Sequence, residues 1–158
     1  MRQIQSRIVI KVGTKTISGK NGVDQNFLND LAQDIKELIS EGRQILLVSS
    51  GAIGMGSMTL KLTQKSQSIA MRQACASIGQ PLLMQAYRNA FLDCGIVTAQ
   101  ILLTRDQFNN RRSFNNLKTT VEKLLKLGVV PIVNENDTVS TEEIGRSFGD
   151  NDQLSALV

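Results

Sequence analysis

The sequence predicts an α/β fold: a mostly parallel β-sheet with helices on both faces. Two observations lead there. Short apolar runs at 8–12, 45–49, 96–103 and 129–133 alternate with longer segments of helical period, the pattern of strands joined by right-handed crossovers. Polar or glycine-rich segments also follow three of those runs directly, which in a parallel sheet places them at a single edge.

Each element has its own local reason. Ile8–Val12 reads as a first strand ending in Gly13. Residues 24–41 put Phe27, Leu28, Leu31, Ile35, Leu38 and Ile39 on one face, with Asp24 as N-cap and Gly42 just past the end. Ile45–Ser49 reads as the second strand. Residues 57–67 are polar and weakly patterned, so a mobile loop is expected there. Two helices follow, at about 68–76 and 80–93, parted near Gly79 and Pro81 and closed by Gly95. Ile96–Leu103 is the third strand. Residues 113–127 carry Leu117, Val121, Leu124 and Leu125 on one stripe before Gly128. Val129–Val133 is the fourth strand, although Pro131 cannot donate a ladder bond and argues against a regular central position. Leu154–Val158 reads as the opening of another helix, so the sequence is expected to belong to a longer domain.

Bulk composition narrows the function. The 158 residues suffice for one domain with a real core and are too few for two ordinary ones. With 41% hydrophobic and 20% charged residues, the chain matches soluble globular proteins. It has neither a membrane-length apolar run nor a signal-peptide pattern, which reads as cytoplasmic. A net charge of +4 with scattered Lys and Arg, and only 4% aromatic residues, argues against nucleic-acid binding. Cys75 and Cys94 lack a CxxC pattern and read as buried thiols in a reducing compartment. There is no histidine, which removes His-based acid–base chemistry and the usual zinc sites, and no protein-held metal is expected. What remains is Lys, Arg, carboxylates and backbone N–H groups. That set suits phosphoryl transfer, which depends on positioning and charge stabilisation more than on proton shuttling.

Three strand-end segments are candidates for a shared crevice. Lys11-Val12-Gly13-Thr14 offers a cation and a turn whose N–H groups can face an anion; a turn glycine beside a snorkelling lysine explains it equally well. Ser49-Ser50-Gly51-Ala52 leads into a helix start suited to a carboxylate or phosphate, while the small residues there, with Gly54 and Gly56, would also permit close helix–sheet packing. The third runs from Asn134 to Asp152. It holds six of the fourteen acidic residues and a single basic one, Arg146, directly after an apolar run. Turn and capping duty accounts for one or two of Asn134, Asp137, Asp150, Asn151 and Asp152, but not readily for all five. Residues between Asp137 and Gly149 alternate in character and suggest a hairpin over the site. Neither a Walker A sequence nor a GxGxxG fingerprint is present.

The segments IVIKVGT, VSSGAI, ASIGQPLLMQAY, QILLTRDQF, VVPIVNENDTV and FGDNDQLSA occur in this order and cover nearly the whole chain. In them the sequence resembles the amino-acid kinase family, and within it the kinases that act on glutamate. The resemblance implies ATP-dependent phosphorylation of the γ-carboxylate of L-glutamate to glutamyl 5-phosphate, the first step toward proline, with proline as a feedback inhibitor. It implies that Lys11 contacts the ATP phosphates and stabilises the transferring group, while Gly13 and Thr14 shape the phosphate loop. Ser50, Gly51, Ala52, Asn134, Asp137, Asn151 and Asp152 would hold glutamate, and Asp150 would organise the lysine. Mg2+ would arrive with ATP, and the full-length form would be a homo-oligomer. The substrate carboxylate is already a nucleophile at neutral pH, so the task is electrostatic and needs no general base.

Family members continue well beyond GDNDQLSA with the rest of the nucleotide pocket. Residues 1–158 are therefore expected to be the N-terminal, glutamate-binding part of an amino-acid kinase domain without its C-terminal nucleotide-binding part, inactive alone. Two alternatives remain: a kinase of the same fold for another acid substrate, and a non-catalytic fragment that binds glutamate or proline.

Overall fold

The computed structural model describes residues 6–19, 22–62 and 68–139. In chain order the elements are β1 (Arg7–Lys11), α1 (Thr14–Ile17), β2 (Ser18–Gly19), β3 (Gly22–Val23), α2 (Gln25–Ser40), β4 (Gln44–Val48), α3 (Ala52–Thr59), α4 (Ile69–Asp93), β5 (Thr98–Leu103), α5 (Arg105–Asn109), α6 (Arg111–Lys126) and β6 (Val130–Glu135). Strands β1, β4, β6 and β5 form one sheet in that order, and every pairing in it is parallel. β2 and β3 pair separately as a two-residue antiparallel ladder.

The sheet is apolar on both faces because its strands are apolar at successive positions, as strands covered by helices on both sides must be. Along β4, Ile45 and Leu47 join a core built with Leu28, Ala32 and Ile35 of α2 and Leu83, Tyr87 and Phe91 of α4. Their neighbours Leu46 and Val48 point the other way, into a second core with Val121 and Leu125 of α6 and Leu103 of β5. The period-2 alternation of strand side chains thus divides one strand between two hydrophobic layers. Each layer fixes the strand register, since a one-residue slip would exchange them.

Helix ends follow the capping rules. Asp24 accepts a hydrogen bond from the Phe27 N–H at 3.1 Å, and Asn110 accepts from the Arg112 and Ser113 N–H groups at 3.0 Å each. Gly42, Gly95 and Gly128 follow α2, α4 and α6 at φ of 83°, 75° and 72°, and turn the chain into β4, β5 and β6.

Three sequence expectations are corrected. Residues 57–59 are the last turn of α3 and not loop, and the remainder of the 57–67 segment is described only to Leu62. The two helices expected over 68–93 are one, α4, which runs through Gly79 and Pro81. Proline within a helix removes a hydrogen bond and costs about 3 kcal/mol. On α4 the burial of Cys75, Ala76, Leu83, Tyr87, Ala90 and Phe91 on one side and the other of that point offsets the loss. β6 is a regular strand in a central position despite Pro131. Val130 donates to the Val97 carbonyl at 2.9 Å, so the alternation of N–H directions turns Pro131 toward β4, where the ladder begins only at Leu47–Ile132. The missing N–H falls where no partner is required. The expected hairpin beyond Asp137 and the helix at 154–158 lie outside the described residues. The two cysteines are buried free thiols, as read from the sequence.

Candidate functional site

The parallel order β1-β4-β6 brings the three strand-end segments onto one rim, and backbone hydrogen bonds lock them edge to edge. The Val12 N–H donates to the Val48 carbonyl at 2.8 Å, and the Ser49 N–H donates to the Val133 carbonyl at 2.8 Å. Beyond the last ladder pair, the Ser50 hydroxyl donates to the Val12 carbonyl at 3.0 Å. The turn after β4 is therefore tied directly to the turn after β1. On the other side, the Asn136 N–H donates to the Leu103 carbonyl at 2.7 Å, joining the end of β6 to that of β5.

Lys11 is the last residue of β1 and is exposed, opposite Val48. Gly13 caps α1 at φ −77° and ψ 158°, a conformation open to any residue, and a Cβ there would meet nothing closer than Thr16 Oγ1 at 3.9 Å. The described residues thus leave room above Gly13, which suits close approach by a ligand to the backbone. Thr14 opens α1 and is exposed.

Gly51 is different. It stands at φ 107°, and a Cβ would lie 3.2 Å from the Ile17 side chain. Backbone and space both call for glycine here. The turn it makes starts α3 at Ala52, which is buried. Just behind, a Cβ on Gly56 would lie 1.9 Å from the Cys75 carbonyl oxygen, and one on Gly79 would lie 1.8 Å from the Ala52 carbonyl oxygen. Gly56 and Gly79 therefore serve backbone-to-backbone packing of α3 on α4, where the sequence had left helix–sheet packing as the alternative to a ligand-binding turn.

The third segment is the most buried polar part of the rim. Asn134 is 2% exposed and Glu135 8%. Asn134 Nδ2 donates to Gln80 Oε1 at 2.8 Å, and Asn134 Oδ1 accepts from the Glu135 N–H at 2.9 Å. Asp137 follows in a partly buried turn. Burial, and then the neighbouring Glu135 carboxylate, push its pKa up to about 6, while the Arg72 guanidinium acts in the opposite sense. Beneath the rim, the Ser49 and Tyr87 hydroxyls share a hydrogen bond of 3.0 Å, and burial raises the Tyr87 phenol to about 12 despite that bond. The phenol stays neutral and joins α4 to the end of β4. The Ser77 hydroxyl of α4 meets Thr138 Oγ1 at 3.3 Å, so the same helix reaches the turn after β6.

Of the residues singled out in the sequence, Lys11, Gly13, Thr14, Ser50, Gly51, Ala52, Asn134 and Asp137 are placed along this rim, while Asp150, Asn151 and Asp152 lie outside the described residues. Sequence reasoning assigned no role to Arg72, Gln80 and Tyr87. All three come from α4, and only Gln80 gave a local hint, a polar residue among apolar ones on a helix. A cation, a turn open to a close ligand and a buried amide and carboxylate pair on one rim can hold an anionic group and a zwitterionic one side by side.

Comparison with known proteins gives this arrangement a context. The chain is 50% identical over 151 residues to the glutamate 5-kinase of Syntrophotalea carbinolica. It is 48% identical over 153 residues to that of Geobacter metallireducens and 46% over 153 residues to that of Citrifermentans bemidjiense. Each match covers 96% of this chain and 40% of the relative, so the chain spans about two fifths of the length of these curated relatives. The amino acid kinase family matches residues 6–158, the whole sheet and its rim included. The chain belongs to the amino acid kinase family.

Proposed function

We propose that this chain supplies the acid-substrate side of a glutamate 5-kinase, which transfers the γ-phosphoryl group of ATP to the γ-carboxylate of L-glutamate. The observation that carries this reading is the shared rim of the β1, β4 and β6 loops, in a chain whose relatives are named glutamate 5-kinases. In the reaction a carboxylate oxygen forms a bond to the γ-phosphorus. The bond from that phosphorus to the β,γ-bridging oxygen breaks, and ADP leaves with its electron pair. No proton need be removed from the nucleophile, which fits a rim without histidine.

In this reading Lys11 faces the phosphates, and its charge offsets the repulsion between two anions. Gly13 and Thr14 let the phosphates approach the backbone, consistent with the space above Gly13. Ser50, Gly51, Ala52 and Asn134 hold the carboxylates of glutamate, and Asp137 with Asn151 and Asp152 receives its ammonium group. Asp150 orients Lys11. Mg2+ arrives with ATP and supplies charge neutralisation on the phosphates. Conversion to glutamyl 5-phosphate as the entry to proline, inhibition by proline, a cytoplasmic setting and a homo-oligomeric full-length enzyme belong to the same proposal. Residues 1–158 by themselves are the glutamate-binding part of the domain, binding glutamate weakly without turnover.

The test is an assay of ADP release with hydroxylamine trapping of the acyl phosphate. It is run on residues 1–158 and on a chimera that joins them to the remaining C-terminal part of the Syntrophotalea carbinolica kinase. The expected result is glutamate-dependent turnover by the chimera, none by the short chain, and little with aspartate. Equal rates with aspartate and glutamate would contradict the substrate assignment, and turnover by the short chain would contradict the division of labour.

A further inference from the structure

The orientation of two buried amides at the rim is fixed by a chain of hydrogen bonds. The Glu135 N–H requires an acceptor and takes Asn134 Oδ1 at 2.9 Å, because a flipped Asn134 would set two donors face to face. Asn134 Nδ2 is thereby turned to α4, where only the oxygen end of Gln80 can receive it, at 2.8 Å. Gln80 must then direct its own Nε2 elsewhere. That nitrogen is buried and has no partner among the described residues. Gln80 itself is 8% exposed.

A buried donor without an acceptor is destabilising. What the amide supplies in return is its oxygen, set behind Asn134. The placement of Gln80 is also rigid. The preceding residue, Gly79, brings the α4 backbone against the Ala52 carbonyl, so one helical turn touches both the Ser50–Ala52 turn and Asn134.

We propose that Gln80 is a positioning residue of this site: its carboxamide oxygen holds Asn134 in the orientation that leaves one Nδ2 hydrogen for an acid ligand at the rim. The ligand part of this inference rests on the glutamate reading above; the orientation part does not. Without the Gln80 oxygen, Asn134 is tethered only through Oδ1 by the Glu135 N–H, Nδ2 loses its anchor, and the ligand loses a directed donor.

The test uses the 158-residue chain with Gln80→Met, Gln80→Glu and Asn134→Ala, and has three readouts. Hydrogen exchange of the Asn134 side-chain amide, assigned by its loss in Asn134→Ala, is expected to be slow in the unaltered chain and in Gln80→Glu, which keeps an acceptor. In Gln80→Met it becomes at least about tenfold faster, as expected for a lost buried hydrogen bond. The melting temperature of Gln80→Met is expected to change little, because the Gln80 Nε2 donor goes while Asn134 Nδ2 loses its acceptor. The glutamate Kd, from NMR titration, rises about tenfold in Gln80→Met and no further in the double variant with Asn134→Ala, since both act through one group. Unchanged Asn134 exchange in Gln80→Met overturns the proposal, as does an additive double variant. Should Gln80→Met not fold, fast Asn134 exchange in Gln80→Glu overturns it equally. If the unaltered chain shows no glutamate binding, the glutamate reading fails while the exchange measurement still decides the role of Gln80.

Discussion

Asp137 shows how burial and function oppose each other at a single residue. Its pKa, raised to about 6 from 3.8, means that the folded chain binds a proton more tightly than the unfolded one. Below about pH 4 both states are protonated and nothing is lost, while above pH 6 the buried charge is fully formed and opposes folding. A shift of this size corresponds to about 3 kcal/mol at neutral pH. Asp137→Asn is therefore expected to raise stability in urea by up to about 3 kcal/mol at pH 7.5, with the gain fading as pH falls from 6 to 4. The same variant should lose glutamate binding, since an ammonium group needs the ionised form. In the unaltered chain glutamate affinity should rise with pH through about 6 and then level off. Lys11, Ser50, Asn134 and Asp137 were legible because each lies at or just beyond the end of an apolar run. Gln80 was not, because nothing local in a helix shows that it will face a strand end 54 residues further on.

The element that misled the sequence reading most is the α3–α4 pair. Neither helix is held by an amphipathic stripe of the kind that identified α2 and α6. Residues 52–59 mix small residues with Ile53, Met55 and Met58 without a helical stripe, and Pro81 interrupts the pattern of α4. The pair forms because Gly56 and Gly79 let two backbones touch, a tertiary contact that no helical periodicity announces. Gly56→Ala and Gly79→Ala each place a methyl group within 2 Å of a backbone carbonyl oxygen, where nothing flexible can yield. Each should cost at least about 3 kcal/mol in denaturant titrations, at or above the top of the usual overpacking range. Gly54 is the internal control. A Cβ there meets nothing within 4 Å, so Gly54→Ala should be neutral or stabilise by about 0.5–1 kcal/mol through helix propensity alone. Equal losses at all three positions would show that the helix pair is packed otherwise. Because Ala52 and Gln80 lie at this contact, the two destabilising variants should also weaken ligand binding at the rim.

For the whole molecule, the fold class and the common rim were readable, since parallel strands must release their following loops at the same edge. The strand order was not. Nothing in the residues states that β6 enters between β4 and β5, yet that insertion is what sets Asn134 beside the Ser49 turn, through the bond from Ser49 to Val133. The glycines at 42, 95 and 128 lie at the opposite edge, before β4, β5 and β6, away from the candidate rim. One acid substrate is proposed to span the loops after β1, β4 and β6. Titration with L-glutamate, following backbone amide NMR signals across both rims, tests this. Gly13, Ser50, Gly51, Asn134 and Asp137 are expected to shift together with one Kd while Gly42, Gly95 and Gly128 stay in place. Shifts that saturate separately among the three loops, or that centre on the glycine rim, would contradict it.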